Sequence, residues 1–143
     1  MSSARSLSGF IWVAAALSGG GCGDASLVVL SQDLSPGKVV PTKHLHSGCG
    51  GSNQSPQVTW SGSVPSTVLS YAVSFVDQTS SNKIHWLVYD IPISEFALAS
   101  NITSAPAGAT IGPNDFGSGY RGPCAVTGES HILEVKVWAV RNA

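Results

Sequence analysis

A chain of 143 residues fits one domain. Charged residues make up only 10% of it and the formal net charge is −1, and its 7 Lys and Arg form no basic stripe, which excludes nucleic-acid binding of the usual electrostatic kind. A hydrophobic content of 43% excludes disorder, while 16 Gly and 8 Pro indicate many turns.

The first 22 residues read as a leader rather than as part of the domain. Arg5 is the one charge before an apolar run, Phe10 to Leu17, which is too short to span a bilayer and suits a secretory signal. The stretch "LSGGGC" resembles a lipoprotein signal with Cys22 as the acylated residue, although Gly19 stands where a Leu is usual. Cleavage without a lipid is the alternative. Either way residues 23–143 are expected to be an exported domain, in the periplasm or cell envelope or secreted, touching a membrane only through an anchor at Cys22. Setting Cys22 aside leaves Cys49 and Cys124, an even remainder that in an oxidising compartment suggests one disulfide.

Along the domain the apolar pattern has period two. "SLVVL" (26–30) and "QVTW" (57–60) read as short strands. "LSYAVSFV" places Leu69, Tyr71, Val73 and Phe75 on one face and reads as a half-buried strand. "HWLVYDI" (85–91), apolar on both faces, suits a central strand. "ISEFALAS" (93–100) is the best helix candidate. "HILEVKVWAV" (131–140) places Leu133, Val135, Val137 and Ala139 on one face, with Glu134 and Lys136 on the other. "SPGK", "GSNQSP" and "GSVPST" are turn chemistry. Short strands at this spacing predict an all-β sandwich or barrel with few, short helices.

The loop "NDFGSGYRGPC" (114–124) sets Tyr120 and Cys124 inside a glycine-rich turn. In the plainest reading its glycines serve tight turns while Phe116 and Tyr120 pin it to a core. If the strands on either side of "DQTSSNKI" pair as a hairpin, Asp77 and His85 share one sheet edge. A carboxylate beside an imidazole favours the charged ring, so His85 is expected to hold a proton more readily and either to bind an anion or to exchange protons; a surface ion pair at a loop mouth is the plainer alternative. His131, at the start of the last strand, shares parity with the core-facing residues. Gly119 and Gly122 are expected to leave backbone N–H groups open as an anion nest. His44 and His46 lack a third metal ligand and read as a solvent-exposed pair, so neither a metal nor another cofactor is expected.

The segments "LSPGKVVP", "CGGSNQSPQVTWSGSVPST", "SYAVSFVD", "IHWLVYDIP", "NDFGSGYRGPC" and "GESHILEVKVWAV" together resemble the phosphatidylethanolamine-binding protein family, also called Raf kinase inhibitor-like, in its bacterial YbhB/YbcL type. They run in family order over nearly everything after the leader. The resemblance implies a Greek-key β-sandwich with a small anion pocket for phosphate-type groups, lined by Asp77, His85, Tyr120, Gly122, Pro123 and His131. The sequence departs from the family at Gln78-Thr79, where Pro-Asp is usual, at Ala125-Val126, where Pro-Pro is usual, and at Leu133, where an aromatic is common. These departures imply a looser pocket and a different ligand. Family members also continue beyond the last strand with a helix and a further strand, so the edge of that strand is expected to be open.

Three functions compete on this reading. A non-enzymatic binding protein for a small anion or a phospholipid headgroup fits best. An inhibitor of a protease or another envelope protein is the alternative. A thiol hydrolase built on Cys124, His131 and Asp77 has the right residue types, but an exported cysteine is more often oxidised.

Overall fold

The computed structural model describes residues 8–17, by their backbone, and residues 26–141. Ten strands carry the described chain: β1 (Ser8–Leu17), β2 (Ser26–Leu30), β3 (Val58–Ser63), β4 (Ser70–Asp77), β5 (Lys83–Pro92), β6 (Ala97–Leu98), β7 (Thr110–Ile111), β8 (Pro113–Asn114), β9 (Gly117–Ser118) and β10 (Ser130–Val140). Two single 3-10 turns, Thr42–His44 and Ser47–Cys49, are its only helical pieces among the described residues. The fold is all-β. One sheet has the order β1-β10-β4-β5-β7, a second the order β2-β3-β6, and β8 and β9 form a small ribbon.

The alternation read in the sequence fixes the core. Tyr71, Val73 and Phe75 of β4 and Leu133, Val135, Val137 and Ala139 of β10 are buried, in one cluster with Val58, Trp60 and Leu98 of the second sheet. The two sheets therefore close on each other, and Trp60 meets Tyr71 edge to face at 5.5 Å. Leu69 departs from the expected pattern: it precedes β4 and is exposed. Glu134, on the outer face of β10, is nonetheless buried, because it pairs with Lys136 and accepts a hydrogen bond from Gln78.

Two expectations meet a different structure. The segment 93–100 is not helical. Eight residues are too few to nucleate a helix unaided, and sheet partners are at hand. The Phe96 carbonyl accepts from the Trp60 N–H, and Ala97 and Leu98 pair with Thr59 and Val58. The edge of β10 is not open in this chain: β1 runs parallel to it from Ser8↔Ser130 to Leu17↔Ala139. The apolar run read as an export signal thus lies within β1, while Cys22 falls outside the described residues.

The site is positioned by the β4–β5 hairpin. Asp77 opposes Lys83 and Val76 opposes Ile84, but Phe75 opposes Trp86. His85 is therefore the extra residue of a β-bulge, a device that re-aims a side chain at a strand end. At the turn the Asp77 Oδ1 accepts the N–H groups of Thr79 and Ser80, each at 3.0 Å. Thr79 Oγ1 in turn accepts from the Ile132 N–H, which ties the turn to β10.

Candidate functional site

The end of the large sheet opens into a cavity of about 310 Å³ lined by residues of the hairpin, the 114–124 loop and the start of β10. Asp77, His85, Gly122 and His131 line it, as do Lys83, Phe116 and Arg121. Tyr120 and Pro123 are not among the lining residues; the Pro123 carbonyl accepts from the His46 N–H. The Tyr120 hydroxyl donates to the His44 carbonyl at 2.7 Å, and its ring lies parallel to Phe75 and edge-on to Trp86. Burial pushes its phenol well above the usual range, so it stays protonated. Phe116 and Tyr120 therefore part company: Tyr120 anchors the loop, whereas Phe116 is 43% exposed at the cavity mouth.

The imidazoles take different roles from those the sequence suggests. Asp77 pairs with His131, not His85: His131 Nδ1 lies 2.5 Å from Asp77 Oδ2, and its Nε2 lies 3.3 Å from Glu129 Oε2. Ionised carboxylates can only accept here, so both favour the protonated form of the ring. The hydrogen bond to Asp77, opposed by partial burial and aided by Glu129, lifts His131 above the ordinary imidazole range. His85 is buried, and burial lowers its pKa despite the Arg121 carbonyl and the nearby Asp77 charge. Its Nδ1 lies 2.7 Å from the Arg121 carbonyl oxygen, which fixes the proton on Nδ1 in the neutral ring and leaves Nε2 as the acceptor. The group whose charged form the site favours is thus His131 rather than His85.

The glycine loop is also built differently from an anion nest. The Gly122 N–H donates to Asn53 Oδ1 at 2.8 Å, and the Arg121 N–H donates to the His85 carbonyl at 2.9 Å. Asn53, in the left-handed region at φ 53°, also donates from Nδ2 to the Tyr120 carbonyl. A Cβ on Gly122 would lie 2.4 Å from the His44 oxygen and the His46 nitrogen, so this glycine admits a neighbouring backbone segment. Cys49 and Cys124 are joined by a disulfide with Cα atoms 5.6 Å apart, which adds a covalent tie to the same wall. His44 is fully buried, with Nδ1 at 2.7 Å from the Gln54 carbonyl oxygen, while His46 accepts from the Gly48 N–H. The exposed histidine pair expected from the sequence is not formed. Among the described residues no cluster of three or more His, Cys, Asp or Glu side chains could hold a metal ion.

Lys83, Arg121 and Asn53 are site residues that sequence reasoning passed over, and Phe116 is one it read only as a core anchor. Phe116 gathers three groups: the Lys83 Nζ at 5.7 Å from its centroid, the Arg121 guanidinium carbon at 5.4 Å, and the His85 ring at 5.0 Å. An aromatic and an arginine inside a glycine-rich loop were the available signal.

A two-sheet sandwich with a cavity of this composition at one end defines a class, and the comparisons with known proteins agree with it. The chain belongs to the phosphatidylethanolamine-binding protein family, whose sequence model matches residues 30–143. It is similar to the UPF0098 protein YbcL of Escherichia coli, with 38% identity over 130 residues, 82% of this chain and 70% of that protein. A UPF0098 protein of Methanothermobacter thermautotrophicus is 38% identical over 95 residues, 62% of this chain and 60% of its own length. The crystal structure of E. coli YbcL, described as a new member of the mammalian PEBP family, superposes with a TM-score of 0.75 over 81% of this chain and 77% of that one.

Proposed function

We propose that this protein is an exported, non-enzymatic binding protein whose cavity captures the phosphate-type group of a small anion or a phospholipid headgroup. The observation that carries this reading is the charge of the cavity lining. Lys83, Arg121 and His131, whose proton Asp77 helps to hold, face it, against the single carboxylate of Asp77. His85 Nε2 adds an acceptor for a protonated phosphate oxygen, or a site for a proton taken up with the anion. The disulfide supports an oxidising compartment and leaves Cys124 no thiolate, which favours binding over thiol hydrolysis.

The test is an NMR titration with inorganic phosphate. Shifts should centre on His85, His131 and the 116–124 loop, and His85→Ala should abolish them. Shifts confined to residues elsewhere, with His85 unmoved, would refute the site.

A further inference from the structure

Two cations converge on one aromatic ring at the cavity mouth, and the arrangement is specific. Lys83 begins β5 opposite Asp77, and Arg121 projects from the glycine loop, yet both come to the Phe116 ring. Among the described residues, neither forms an ion pair: Asp77 pairs with His131, Glu129 also reaches His131, and Glu134 pairs with Lys136. Asp115, the one acid of the loop 114–124, accepts from the Ile84 N–H at 2.6 Å, a bond that leaves its charge in place, but pairs with neither cation. Two cations held round one ring repel each other, and the Gly122 and Arg121 backbone donors are already committed. The unmet demand at the mouth is therefore for negative charge next to the phosphate position. An ammonium group there would meet two like charges and an aromatic ring that those charges already occupy.

We propose that Lys83 and Arg121, assembled on Phe116, make the site selective for phosphoryl compounds with a second negative charge and disfavour those with a cationic tail. This selectivity rests on the anion-pocket reading and sharpens it, since a zwitterionic ethanolamine headgroup becomes the poor ligand. The shared chemistry is a phosphoryl group with an adjacent anion, whether carried by a free solute or by a lipid headgroup.

The experiment compares four probes by calorimetry at pH 7 and low salt: inorganic phosphate, sn-glycerol 3-phosphate with a neutral tail, phosphoethanolamine with a cationic tail, and 3-phosphoglycerate with an anionic tail. The expected order is anionic, then neutral, then cationic, with about tenfold between the extremes, the effect of reversing a charge roughly 6 Å from a cation in a water-like dielectric. In Lys83→Gln/Arg121→Gln all affinities should fall, because both cations line the cavity, and the order among the probes should collapse to within about twofold. Lys83 is exposed, so Lys83→Gln alone, expected to narrow the spread, serves if the double variant folds poorly. Phosphoethanolamine binding as tightly as 3-phosphoglycerate, or an unchanged order in the variants, would overturn the selectivity and leave the pocket standing. Absence of binding by all four probes would overturn the pocket and the selectivity with it. Vesicles of phosphatidylcholine doped with cardiolipin, whose two phosphates neighbour each other, or with phosphatidylethanolamine separate the sources. Co-sedimentation with cardiolipin alone supports a lipid anion, none with either supports a free solute, and co-sedimentation with phosphatidylethanolamine counts against the proposal.

Discussion

Removing the Cys49–Cys124 bond by Cys49→Ala/Cys124→Ala is expected to cost a large part of the domain's stability. The bond closes a loop of 75 residues. The chain-entropy model gives such a loop about 4.5 kcal/mol, and measured losses generally fall in the range of about 2–4 kcal/mol. Net stabilities of small domains are only about 5–15 kcal/mol, so the variant should remain folded but marginal. Urea unfolding followed by tryptophan fluorescence reads the effect. At a slope of about 1.5 kcal/mol/M, a loss of 3 kcal/mol moves the midpoint by about 2 M. Phosphate affinity should fall only a few-fold, because Asn53 and the His44 carbonyl still hold residues 120–122. A midpoint unchanged within about 0.3 M, or an unreduced native sample in which Cys124 takes up an alkylating group, would refute the reasoning and reopen the thiol reading.

Asn53→Ala removes both ties to the glycine loop and leaves the Gly122 N–H without its acceptor, so a loss of about 2–4 kcal/mol is expected, with weakened phosphate binding, in the same urea assay. Gly122→Ala should cost about 3 kcal/mol or prevent the wall from forming, because its Cβ would collide with backbone at His44 and His46; retention of the Gly122 N–H shift in NMR spectra would contradict this. Sulfate, which does not titrate near neutrality, should bind at full strength below pH 6.5 and progressively less as pH rises through the elevated pKa of His131, since loss of that proton leaves Asp77 uncompensated in the cavity. A sulfate affinity that instead follows an imidazole titrating below 6.5 would return the role to His85.

The core was legible because it depends on parity. Tyr71, Val73, Phe75, Leu133, Val135 and Val137 alternate with less apolar neighbours, and a strand can bury such a set in only one register. The hairpin also placed Asp77 and His85 at one sheet end. Their pairing was not legible, because the bulge at His85 is a two-strand property and the partner of Asp77 arrives on β10, 54 residues later. Phe116 escaped for a related reason. Its ring reads as a core anchor like that of Tyr120, and only the path of the folded loop shows that one faces inward and the other the mouth. The segment 93–100 reads as a helix by composition, yet it is turn and irregular chain except for Ala97–Leu98, which tertiary pairing draws into a sheet. Asn53 read as a turn residue, and its two long-range hydrogen bonds leave no mark on the local sequence.

The ties that hold the cavity wall have a consequence for the order of events in folding. Asn53 bonds to groups 67 and 69 residues away, the Tyr120 hydroxyl to a carbonyl 76 residues back, whereas β4 and β5 meet across a short turn. Local hairpins close before such distant segments find each other. A refolding chain should therefore pass through a state with its central strands formed and no wall, unable to hold a ligand. Sulfate would then stabilise only what forms after the rate-limiting step. In stopped-flow experiments it should slow unfolding in proportion to its occupancy and leave the folding rate unchanged.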